Sequence, residues 1–325
     1  MSGKHFVLEG DLKLLSTLSH KGESSGPDSL LSRVTVVNED YEPVQVFVYS
    51  GNAFRGMLRD LAAEYMIERL SIEKMGLELF YLLWSGGAIG GDQTIDIDQA
   101  RRFRQVIPMI SLFGGGIGNQ LMGGKMAVGS FYPVCGECSG ILPKHVFRRD
   151  DATWHAFVNE LSFNRTDDAK NERLRERFIA PNLETPALTG DKAKSDRKPQ
   201  QMRYTEELMA GGVRFYQRLD FIHVTDLELG VFVSALHEWQ KHPYLGGEKR
   251  KGDGLCELSY TWREAGKGPE EAKHFLTVGS DRLVCGEKAE ETLEAYNEFL
   301  ATLYDQYLSA NKATLQGMLE AGGAS

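Results

Sequence analysis

Glycines and basic side chains meet twice in this sequence, at points separated by most of its length. The first is Ser50-Gly51-Asn52-Ala53-Phe54-Arg55-Gly56-Met57-Leu58-Arg59-Asp60, which runs straight into a helical pattern. The second is Gly246-Gly247-Glu248-Lys249-Arg250-Lys251-Gly252-Asp253-Gly254, between a predicted helix and a predicted strand. Glycine at a helix start lets backbone N–H groups approach an anion, and Arg or Lys adds charge and donors. Together the two segments predict a phosphate-backbone groove built from distant parts of one domain.

Composition bounds that reading. A chain of 325 residues holds one large domain or two smaller ones with ample core. Hydrophobic residues at 42% and charged residues at 26% are ordinary for a soluble globular protein. No apolar run approaches the ~20 residues of a membrane span, and no signal-peptide core opens the sequence, so a cytoplasmic protein with no membrane partner is expected. A net charge of −9 argues against a nonspecific basic coat on nucleic acid. It leaves room for a local groove, because charge acts over about 10 Å at ordinary salt. The cations are indeed local: Lys144 to Arg149, Arg173, Arg175 and Arg177, Lys192 to Lys198, and Lys249-Arg250-Lys251. Acids gather near the C-terminus, at Glu287, Glu290, Glu291, Glu294 and Glu298.

Strand patterns cover 4–17 and 32–48, with a polar Gly/Ser-rich loop at 19–29. Apolar residues at helical spacing run from Phe54 to Leu83, with Leu58, Leu61, Ala62, Tyr65, Met66 and Leu70 on one face. A short helix is expected at 97–105, an irregular glycine-rich loop at 113–124, and a strand near 126–134. Residues 163–205 are charged, carry Pro181, Pro186 and Pro199, and lack a steady apolar period. They read as a disordered surface insertion or as a hairpin arm that orders on a partner. Strands near 213–225, 255–263 and 274–278 alternate with helices at 225–242, opened by Thr225-Asp226-Leu227-Glu228, and at 287–308. This order suits an α+β fold with helices on one face of an antiparallel sheet.

These residues carry a resemblance. The ordered series Leu18-Ser19-His20-Lys21-Gly22, Ser50-Gly51-Asn52 with Arg55-Gly56 and Arg59, Leu112-Phe113-Gly114, Phe163-Asn164-Arg165 and Gly246 to Gly254 resembles the RAMP superfamily of CRISPR-Cas proteins. More narrowly, it resembles the Cas-seven-like backbone subunit of type IV systems. The resemblance implies a palm of RNA-recognition-motif type (ferredoxin-like) over 1–55 and 206–325, a helical insertion over 56–150 and a thumb hairpin over 151–205. It implies multiple copies stacked in a filament along a CRISPR guide RNA, beside other effector-complex subunits, with target nucleic acid engaged by guide pairing. The RNA-binding residues would be His20, Lys21, Gly51, Asn52, Arg55, Arg59, Arg165, Gly246, Gly247, Lys249, Arg250, Lys251, Gly252 and Gly254.

Each motif also has a purely structural reading. Asn52 suits a helix N-cap with Arg55 on the surface, although Arg55 and Arg59 lie one turn apart on a shared face. Gly246 to Gly254 could be a flexible hairpin with a solvated basic tip, and His20 and Lys21 plain loop surface. Cys135-Gly136-Glu137-Cys138 is a single CxxC; zinc wants four ligands, which His145 and His155 could complete, whereas a strand-edge turn needs none. Asp28 occupies the loop in which related type III subunits carry the aspartate that cuts target RNA, but Ser-Gly-Pro-Asp-Ser does not match that motif. No nucleophile-elbow, Walker or zinc-protease motif occurs. The expectation is a cofactor-free binding scaffold and not an enzyme; a target-cleaving ribonuclease of the same superfamily and a zinc-stabilised structural module are the alternatives. Binding of this kind rests on phosphates and 2′-hydroxyls, leaving bases free to pair.

Overall fold

A computed structural model describes residues 3–25, 28–87, 97–117, 120–146, 152–164, 177 and 203–305. At its centre lies β1 (Lys4–Leu14), where Phe6, Leu8, Leu12 and Leu14 are buried while Asp11 and Lys13 face outward. It pairs antiparallel with β12 (Arg214–Val224) on one side and β13 (Cys256–Glu264) on the other. The sheet continues from β13 to β14 (Lys273–Val278) and β15 (Leu283–Cys285). On its far side β12 pairs with β8 (Met126–Val128) and β9 (Tyr132–Pro133). Gln217 is fully buried in β12, yet both ends of its amide are bonded: it donates to the Gly129 carbonyl at 2.8 Å and accepts from the Tyr260 hydroxyl. That satisfies a polar group the core could not otherwise hold.

Two helices complete the motif. α1 (Gly51–Arg69) follows β1, and α5 (Asp226–Gln240) joins β12 to β13. Ser50 caps α1, and Thr225 and Glu228 form a reciprocal capping box on α5. In chain order β1, α1, β8, β12, α5 and β13 give β-α-β-β-α-β, with the strands ordered fourth, first, third, second. This is the antiparallel ferredoxin-like arrangement of an RNA-recognition-motif palm. α6 (Glu287–Leu303) packs against α5, so the helices share one face of the sheet. The expected apolar face of α1 is buried, with Leu58, Ala62, Tyr65, Met66 and Leu70 all nearly inaccessible.

Several local expectations are corrected. The Phe54–Leu83 helix is two, because α1 ends after Arg69 and α2 (Leu77–Trp84) begins beyond an irregular stretch. α1 also runs unbroken across residue 56, so the expected boundary between palm and helical insertion falls inside a helix that packs on α5. The strand expected at 32–48 is a hairpin, β4 (Arg33–Val37) and β5 (Pro43–Phe47). Its turn is made by the Asn38 side-chain oxygen, which accepts from the Asp40 and Glu42 amides at 3.0 and 2.9 Å. α3 (Ile97–Val106) is present as expected, followed by α4 (Pro108–Phe113). The glycine-rich stretch after α4 contains a short hairpin, β6 (Gly115–Ile117) with β7 (Gln120–Met122).

The polar stretch 19–29 is not a loop either. It supplies β2 (Lys21–Ser25) and β3 (Asp28–Leu31), which join a second sheet in the order β10-β11-β3-β2. Here β10 (Val158–Asn164) and β11 (Arg203–Met209) are antiparallel, and β11 runs parallel to β3 through Thr205↔Asp28 and Glu206↔Ser29. Glu207 fixes that junction by accepting from the Leu31 amide at 3.0 Å and pairing with Arg33 at 2.7 Å. Strand formation in so polar a segment follows from the pairing of β3 with β11 and of β2 with β3, and not from local preference. Most of the segment expected to form a thumb, 165–202 apart from Arg177, lies outside the described residues.

Candidate nucleic-acid interface

The two glycine-bearing segments meet beside the end of β1. The chain leaving β1 passes through Thr17, Leu18, Ser19 and His20, and the Gly246–Gly254 loop folds onto it. The Gly247 amide donates to the Ser19 carbonyl at 3.2 Å, the Gly254 amide to the Thr17 carbonyl at 2.5 Å, and the Thr17 hydroxyl to the Asp253 carboxylate. Glycine is required at both ends of the loop. Gly246 (φ +81°) would place a Cβ 2.1 Å from the Ser19 oxygen, and Gly254 (φ +94°) 1.9 Å from the Leu245 oxygen. Between them Lys249–Lys251 form one 3-10 turn, closed by Gly252 in the left-handed region. Arg250 is exposed at its tip and Lys249 half-exposed.

Four charges cross-link this loop to β2 and β11. The Lys21 ammonium lies 2.8 Å from Glu248 and 3.1 Å from Glu206; the Lys251 ammonium lies 3.1 Å from Glu206 and 3.3 Å from Glu248. Glu206 is buried and also accepts from the Ser19 hydroxyl at 3.2 Å. Burial would raise its carboxyl, but the bonds and charges of both lysines prevail and hold it below the usual carboxylate range. The Glu248 bond chiefly raises Lys21; for Lys251, burial pulls downward and is outweighed by Glu206 and Glu248. Lys251 also sits 5.1 Å over the Phe163 ring, which stacks on Tyr204 across the β10–β11 hairpin at 6.0 Å.

His20 connects this loop to the start of α1. Its Nε2 accepts from the Ser50 amide at 3.3 Å, and its ring packs on Tyr49 at 4.5 Å and Phe47 at 6.4 Å. Burial lowers its pKa, so the neutral ring that can accept is favoured. The Tyr49 hydroxyl, pushed up to about 12 by burial, is hydrogen-bonded to the Gly246 backbone. Gly51 and Gly246 thus belong to one continuous patch, joined through His20 and Tyr49.

Within that patch the named residues divide. Gly51 is needed for packing: its Cβ would lie 2.5 Å from the Val128 oxygen, and its amide already donates to the Ser130 hydroxyl at 3.0 Å. Asn52 is exposed in the first turn, and the N-cap is Ser50, not Asn52. Arg59 is only 9% exposed and donates to the Phe113 and Gly114 carbonyls at 2.9 and 3.0 Å; Arg55 donates to the same Phe113 carbonyl. These carbonyls are left free by the end of α4. Burial first, then the Arg55 charge, brings the Arg59 pKa down to about 10. Arg59 is therefore a fastener between α1 and α4 and not an open phosphate contact, a correction to the groove read from sequence. Arg165 lies outside the described residues.

Asp28 stands exposed in β3, opposite Thr205. Cys135 and Cys138 are buried across one 3-10 turn, where the Cys138 bond and then burial push the Cys135 thiol far above the usual range. His145 instead lies 3.5 Å from Glu9, and His155 packs on Trp154 at 4.2 Å, so neither joins the cysteines. Among the described residues no three His, Cys, Asp or Glu side chains gather to hold a metal. Glu206 and Thr17 are marked by no motif, and Phe163 stands in the sequence only as part of Phe163-Asn164-Arg165; pairing of β11 with β3 and β10 brings Glu206 and Phe163 to the loop, and Thr17 meets it where the chain leaves β1. Glu248 lies inside the glycine-bearing segment itself, three residues from the Lys251 it pairs with.

No protein-family profile and no curated protein matches the sequence. The fold is similar to a chain in a solved structure described as a Type IV-B CRISPR complex, with a TM-score of 0.54 at 17% identity. The match covers 81% of this chain and 92% of that one. No helix among the described residues is long and apolar enough to cross a membrane.

Proposed function

We propose that the protein is a Cas-seven-like backbone subunit of a type IV-like CRISPR effector complex that holds guide RNA without regard to its sequence. The observation that carries this reading is the convergence of Lys21, Lys249, Arg250 and Lys251 on the joint between an RNA-recognition-motif-like palm and the β10–β11 hairpin. Cations on a glycine-bounded turn, beside exposed Phe163, suit a single strand followed by its phosphates with occasional stacking of a base. Fold likeness over most of the chain supports membership in such an assembly. In this reading, 151–205 is a thumb rooted on β10–β11, copies stack along one RNA, and few cations per copy suffice because contacts repeat. That reconciles the groove with a net charge of −9.

The test is RNA binding by the intact chain, after bound nucleic acid is stripped at high salt. Unrelated single-stranded RNAs should bind with similar affinity, and Lys249→Ala with Arg250→Ala should weaken all of them alike. Each lost phosphate contact should flatten the plot of log affinity against log salt by ~0.7. Equal affinity and slope in wild type and variant would refute the groove.

A further inference from the structure

The lysines best placed to meet phosphate are already occupied. Lys21 and Lys251 each touch both Glu206 and Glu248, so two cations and two carboxylates close a ring of four ion pairs between 2.8 and 3.3 Å. The ring has one fixed side and one loose side. Glu206 is anchored in β11, buried and bonded to Ser19. Glu248 projects from the glycine-bounded turn, 28% of its side chain exposed, and the facing lysines are 39% and 47% exposed. The lysines can therefore turn toward solvent without losing Glu206, whereas Glu248 must give up both.

Resting on the proposed RNA-binding role, we infer that Glu248, backed by Glu206, is a specificity-determining residue: an internal competitor that occupies the phosphate-binding lysines until a polyanion displaces it. The chemistry follows from the geometry. An isolated phosphate replaces one carboxylate with another singly placed anion and gains little, since partly exposed pairs are weak and screened. A strand that also meets Lys249 and Arg250 pairs several cations at once, releases counterions, and repays the displacement. The carboxylates thus raise the threshold for short or stray anions while leaving a long strand bound. They also account for two glutamates amid basic groups where a simple basic groove would carry none.

The test compares wild type, Glu248→Gln and Arg250→Ala for binding of a short labelled oligouridylate across a salt series, using the full chain. Glutamine keeps the size of Glu248 but surrenders its charge, so Glu248→Gln should bind roughly two- to five-fold more tightly. Its salt slope should steepen by up to ~0.7 for each lysine newly engaged. Glu206→Gln, which retains an acceptor for Ser19, should move in the same direction and serves if the first variant is poorly folded. Unchanged or weaker binding by both glutamine variants, with Arg250→Ala still impaired, would overturn the inference and leave the groove standing. No RNA binding by wild type, or none lost in Arg250→Ala, would remove the groove and the inference together.

Discussion

One imidazole shows how tightly this surface depends on single protons. His20 accepts from the Ser50 amide at the start of α1 and lies against Tyr49, which is bonded to Gly246. Burial holds its pKa below the ordinary value of about 6.5. As pH falls below that value, the unfolded chain takes a proton that the folded chain refuses, so stability declines toward the depressed folded pKa and is fully present above 6.5. Urea unfolding at pH 7.5, 6.5 and 5.5 should show this loss, and His20→Gln should make the profile shallower over the same interval. An equally steep profile in the variant would assign the dependence to other groups. Arg59 teaches the opposite lesson about single residues. Its spacing from Arg55 suggested an open cationic face, but spacing cannot reveal that the Phe113 carbonyl lies over that face.

At the scale of elements, the Gly246–Gly254 turn is held at its two ends by close backbone contacts with Ser19, Thr17 and Leu245. Gly246→Ala puts a methyl 2.1 Å from the Ser19 oxygen at φ +81° and should destabilise the protein by about 2 kcal/mol or more. Gly252→Asn, at φ +90° with open space around it, should cost within about 1 kcal/mol, because Asn tolerates the left-handed region. Equal losses in urea unfolding would mean that crowding at Ser19 is not what fixes the turn. The elements most legible in the sequence were those that its own pattern marks: β1, β12, β13 and β14 as strands, and α5 through its Thr225-Asp226-Leu227-Glu228 start. Those decided by distant partners were not legible. Lys21–Ser25 becomes a strand only in a sheet with β11, and Leu77 starts a second helix only after α1 has ended. The candidate site was half visible for the same reason. Its cations lay in recognisable segments, while Glu206 and Phe163 enter through long-range pairing.

Considered as a whole molecule, the chain joins a ferredoxin-like palm to a small second sheet that carries β10–β11. Asp28 lies on that second sheet, exposed, in strand β3. In the scaffold reading it has no chemistry to perform. The RNA-loaded assembly, given labelled complementary RNA with Mg²⁺ or Mn²⁺, should leave the target intact. Evenly spaced products that disappear in Asp28→Ala would make the protein a ribonuclease instead. The central place of β1 has a consequence for how the protein is made. β1 precedes both of its neighbours in the chain, β12, which begins at Arg214, and β13, which begins at Cys256. At roughly 5–20 residues per second, the ribosome needs on the order of ten seconds or more to deliver either one. Throughout that interval the strand destined for the middle of the sheet has two bare edges and an apolar face open to mispairing.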